Sequence, residues 1–157
     1  MTPYFFLKFL HVIGASVLLG TGAGIAFFML RAHLTGEAAL IAAVVRIVVL
    51  ADFLFTATAV IAQPLTGIAL AHEGGYSVNE SWVVISVILY LVTGAFWLPV
   101  VWIQIQIGKL AAASAMERKP LPPRYYTLFR IWFAFGFPAF GAVVGIFWLM
   151  ISRPSIW

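Results

Sequence analysis

Apolar residues run through this chain in four long blocks, about 4–30, 43–71, 81–108 and 126–151, separated by three short polar connections. Each block exceeds the roughly 20 residues that a tilted helix needs to cross the hydrocarbon core of a bilayer. The pattern therefore predicts an all-α transmembrane four-helix bundle, a single integral membrane domain over residues 1–157. The apolar region of a cleaved signal spans only about 7 to 15 residues, whereas the first block continues until Arg31, so a retained helix is expected there.

A helix surrounded by lipid keeps its polar side chains on the face turned into the bundle. In the second block Asp52, Thr56, Ala59, Gln63 and Thr66 recur on one side of a 3.6-residue helix. The third block repeats the pattern in Trp82, Ser86, Tyr90, Thr93, Trp97 and Gln104, and leaves Trp102 for lipid. In the fourth, Arg130, Ala134, Phe137, Gly141 and Trp148 form a stripe, while Gly141 and Gly145 offer a small-residue surface for close packing. Pro64, Pro99 and Pro138 each free a carbonyl about one turn earlier. Because Gln63 precedes Pro64, a bend in the second helix is expected at the level of His11.

His11 is the one strongly polar residue inside the first block. An imidazole in an apolar span is costly without a partner, which marks it as a site. On its face of the helix lie Gly14, Ala15, Leu18, Gly22 and Met29, mostly small, so either a neighbouring helix or a flat porphyrin could approach. Successive spans alternate in direction, which puts His11, Gln63, Thr66, Ser86 and Tyr90 toward the end bearing both termini. Two readings stay open for His11: a hydrogen bond to Gln63, Ser86 or Tyr90, or a metal bond, with Gln63, Tyr90 or water on the far side of a bound haem. His33, 22 residues on and roughly 33 Å along the helix, cannot share a metal with it. His72 reads as an interfacial histidine. Toward the opposite end lie Arg46, Asp52, Gln104 and Arg130. An unpaired acid in lipid costs several kcal/mol, so an ion pair of Asp52 with Arg46 or Arg130 is expected, with a proton relay as the alternative.

Composition agrees with this picture: 64% of the residues are hydrophobic and 9% charged. The absence of cysteine removes disulfides, thiolate metal sites and cysteine nucleophiles. The net charge of +4 would suggest nucleic acid in a soluble protein, but no basic face is present here, and the charges read as topology. Arg31, Arg46, Lys109, Arg118, Lys119, Arg124 and Arg130 lie in or beside the first and third connections, against Lys8 and Arg153 at the other end. That asymmetry places both termini outside and the basic loops in the cytoplasm. In the second connection, HEGGYSVNESW, Gly74 and Gly75 break the helix and Asn79 or Ser81 would cap the next one. In the third, MERKPLPPR, three prolines stop the helix. Zinc motifs, nucleophile triads and nucleotide-binding glycine loops are missing.

The landmarks KFLHVIGA, QPLTGIAL, FWLPVVWIQ, RIWFAFGFPAF and FWLMISRP cover nearly the whole length. In them the chain resembles a bacterial family of predicted four-span membrane proteins defined as a domain of unknown function. More distantly, the FLH of the first span resembles the start of the haem-dependent membrane protoporphyrinogen IX oxidases and of the copper-resistance D-type membrane proteins. The oxidase resemblance implies a haem ligand at His11, a b-type haem as cofactor, and a redox or porphyrin-handling role in the bacterial inner membrane. The chain departs from the oxidase pattern in having no lysine after Trp82 and no arginine before Arg31, which argues against porphyrin oxidation itself. A copper role would fall to the scattered thioethers of Met1, Met29, Met116 and Met150. Two rival functions come from the residues alone: a transporter or proton-conducting homodimer or larger assembly lined by Asp52, Gln63, Gln104 and Arg130, and an accessory subunit without chemistry.

Overall fold

The structure, a computed structural model, describes residues 2–157 and is helical with no strand among them. Helix α1 runs Pro3–Thr35, α2 Ala38–Ala51 and α3 Ala57–Glu73, with a π-turn at Asp52–Thr56 joining the last two into one span. Helices α4, Ser81–Glu117, and α5, Pro123–Ser152, complete the bundle. All four spans are long and apolar enough to cross a membrane.

The helices overrun the apolar blocks. At 1.5 Å per residue α4 is roughly 55 Å long, against a hydrocarbon core of about 30 Å. Apolarity reports contact with lipid, whereas helix ends are set by caps. Gly36 closes α1 in the left-handed conformation at φ 69°, and only Gly36 and Glu37 separate α1 from α2. Arg118 and Arg153 take the same conformation at the ends of α4 and α5. Pro3 and Pro123 sit in first turns, where a missing N–H costs nothing. The expected Asn79 or Ser81 cap of α4 does not form: Glu80 holds that position, and the Ser81 hydroxyl donates instead to Pro154 O at 2.9 Å.

The second span changes neighbours at its π-turn. Before it, α2 lies against α4 and α1; after it, α3 lies chiefly against α1, while α4 and α5 pair along their length. The apolar core is confined to the end opposite the termini, where Met29, Ile41, Val45, Ile107, Ala111, Tyr125 and Trp132 close on one another. Gly108 permits the tight α2–α4 approach, since a Cβ there would stand 2.8 Å from Val45 Cγ1.

Two expected faces fared differently. The polar face of the second span and that of α4 turn inward, burying Asp52, Thr56, Trp82, Ser86 and Gln104, while Trp102 faces out. The α5 stripe faces outward: Arg130, Ala134, Phe137, Gly141 and Trp148 are exposed, and Tyr125, Leu128, Phe129, Trp132, Ala142 and Leu149 make the inner face. Arg130 lies two turns from the helix end, where a long side chain can run along lipid and still reach the interface. Of the glycine pair, Gly145 packs on Leu89 of α4 and Gly141 meets nothing.

Candidate functional site

Two polar nodes lie inside the bundle, and the second span supplies most of both. The first surrounds His11. Its Nδ1 stands 2.8 Å from the Thr66 hydroxyl. That hydroxyl also stands 2.8 Å from Ala62 O and 3.2 Å from Gln63 O; with its proton on either carbonyl it accepts from Nδ1–H. That arrangement corresponds to the Nδ1–H tautomer, with a lone pair on Nε2. Nε2 has no hydrogen-bond partner among the described residues, and it is not sealed, since only Thr56 carries a side-chain polar atom that is both enclosed and unpartnered.

Gln63 fastens the same turn of α1 by donating from Nε2 to His11 O at 2.9 Å. Gly14 makes room for this amide, which occupies the place its Cβ would take. Gly67, not singled out in the sequence, lies against the imidazole, and a Cβ there would sit 3.3 Å from His11 Cε1. Among the expected cofactor contacts, the structure brings Gly14 and Gln63 to His11. It does not bring Gly22, which is exposed some 16 Å further along α1. Tyr90 also points elsewhere: its hydroxyl donates to Val60 O at 2.7 Å, the carbonyl that Pro64 leaves without an N–H donor.

The second node is centred on Asp52, 4% exposed, at the start of the π-turn. No arginine reaches it. Arg46 and Arg130 are exposed, and the one ion pair among the described residues joins Lys119 and Glu117 in the third connection at 2.8 Å. The expected pairing is thus replaced by neutral donors. Trp97 Nε1 donates to Oδ1 at 3.4 Å. With the Gln104 amide oriented so that both its ends are satisfied, its nitrogen donates to Oδ2 at 2.8 Å while its oxygen accepts from Trp132 Nε1 at 3.2 Å. Thr56, one turn further, faces the carboxyl without forming a well-directed bond and is sealed without a partner. Equal depth suggested an arginine; the tryptophans at that same depth were the available signal.

Each end carries an aromatic clasp. At the basic end His33 stacks on Phe129 at 3.6 Å between centroids and meets Tyr125 OH at 3.0 Å, tying α1 to α5. At the other end the Arg153 guanidinium lies over the rings of Tyr76 and Trp82 and hydrogen-bonds Tyr76 OH, while Ile156 N donates to Ser81. His72 is exposed. Met1 lies outside the described residues, Met29 is in the core and Met116 is exposed, and no cluster of metal-ligating His, Asp or Glu occurs among the described residues.

For a haem, the donor chemistry at His11 fits. Metal-bound histidines usually donate their second N–H to an oxygen, which fixes the tautomer, as Thr66 does here. Fit rests on that donor set and not on a preformed chamber: cavities of about 200 Å³ by Leu110 and Ser114 and about 90 Å³ by Ser81 and Arg153 lie elsewhere.

Four long apolar spans, tight connections and polar groups gathered inside define a multi-pass integral membrane protein. The sequence profile of the family described as "Predicted integral membrane protein (DUF2269)" matches residues 5–154, and the chain belongs to that family of unknown function. No curated protein and no solved structure matches it.

Proposed function

We propose that this protein sits in the bacterial cytoplasmic membrane with its basic end inside, and binds a b-type haem or related porphyrin through Nε2 of His11. The observation that supports this reading is the engagement of Nδ1 by Thr66, which leaves Nε2 without a partner in the thinly packed half of the bundle. Gln63 and Gly14 hold the backbone of that turn, and Gly67 leaves space for the ring. When bound, haem supplies a one-electron redox centre whose potential responds to ligand basicity and burial. Thr66 would raise that basicity.

Purification in mild detergent, after expression with haem available, tests the reading by absorption spectroscopy. A Soret band is expected, lost in His11→Ala, with haem affinity reduced roughly 10- to 100-fold in Thr66→Val, the range typical of second-layer partners. A colourless protein, or a band that persists in His11→Ala, overturns it.

A further inference from the structure

We propose that Asp52 is a proton-binding site, held as the neutral acid in mid-bundle with its proton directed to the Thr56 hydroxyl. The inference is independent of haem. Asp52 and Thr56 are 4% and 7% exposed, and Gln104 is 1% exposed. No charged side chain faces the carboxyl from any element packed on it. The second span offers Thr56, with Arg46 pointing outward; α4 offers Trp97 and Gln104; α5 offers Trp132 behind Gln104, with Arg130 outward. Helix α1 has no titratable residue between His11 and Arg31. A lone carboxylate in such surroundings carries a desolvation penalty that dipoles alone offset poorly, and a bound proton removes it.

The hydrogen-bond inventory agrees. Gln104 and Trp97 supply one donor to each carboxyl oxygen, the second at a weak 3.4 Å. Thr56 Oγ1 has no hydrogen-bond partner of either kind, so its lone pairs are open to an acid O–H. A metal cation fits worse: the Trp97 N–H is aimed at the carboxyl and the Trp132 N–H occupies the amide oxygen of Gln104, leaving few oxygens free to coordinate. The π-turn beginning at Asp52 adds a second mark, because such turns recur at functional positions in helices.

Asp52 is the sole aspartate, so labelling aspartate with heavy carbon at its side-chain carboxyl marks this group alone. Infrared spectra of the full chain in lipid at neutral pH should show the labelled band at the position of a protonated acid, shifting on exchange into heavy water. Thr56→Val should move that band toward the position of an acid without a hydrogen-bond acceptor. Asp52→Asn should remove it and, as an isostere of the neutral acid, leave the folded yield unchanged within about twofold. A labelled band at the carboxylate position, or one that shifts when sodium replaces potassium at fixed pH, overturns the proposal. A band unmoved by Thr56→Val overturns the assignment of the acceptor. The labelled wild type decides the protonation state even if a variant fails to fold.

Discussion

Toward the basic end, Ile41, Val45, Val48, Ile107, Ala111 and Tyr125 lock α2, α4 and α5 together around the second half of α1. Toward the termini the buried apolar groups are few, notably Ala59, Ala71, Ala142 and Leu149, and the helices are joined by single polar links: Gln63 to His11 O, Tyr90 to Val60 O and Ser81 to Pro154 O. In lipid the packing of side chains, and not escape from water, holds helices together. The basic half is therefore the rigid one, and the other can open at the loss of a few hydrogen bonds. The haem site proposed at His11 falls in this more open half.

Substitutions should rank accordingly in detergent unfolding titrations followed by circular dichroism. Ile107→Ala, in the dry core, should destabilise most, by about 2–5 kcal/mol. Gly108→Ala should come next, at about 1–3 kcal/mol, because its new methyl group meets Val45. Tyr90→Phe, which strips the link to Val60, should lose only about 0.6 kcal/mol and at most about 1.7, the range of inter-helix hydrogen bonds in membranes. Arg153→Ala, at the clasp over Tyr76 and Trp82, should lose about 0.5–1 kcal/mol. Should Tyr90→Phe prove as damaging as Ile107→Ala, the two halves would be equally stiff and the contrast would fail.

Much of this division could be read from the residues. The inward faces of the second span and of α4 follow from polar positions repeating at helical spacing, because burying a polar group in lipid leaves the chain little choice. Pro64 announced a carbonyl in need of a donor, and Tyr90 lay at the matching depth. The outward α5 stripe departs from the expected face because an arginine two turns from a helix end need not turn inward; its long stem lets it run along lipid. The partners of Asp52 were misjudged for a related reason: charge suggested charge, whereas indole and amide donors already stood at that level. Thr66 was placed at the depth of His11, yet it was not chosen as the partner of the ring, since depth alone does not say which of several hydroxyls and amides comes within reach. The clasp at His33 is not legible in the sequence because it depends on rings of α5 that spacing on α1 cannot reveal.

The π-turn at Asp52–Thr56 amounts to one residue more than an unbroken α-helix would hold. Each residue of an α-helix advances its neighbours by about 100°. An unbroken α-helix over the same residues would therefore swing the whole downstream segment by roughly that angle, carrying Gln63 and Thr66 away from α1 while Asp52 kept its station; the wider turn takes up the extra residue. One amino acid sets the phase between the two polar nodes.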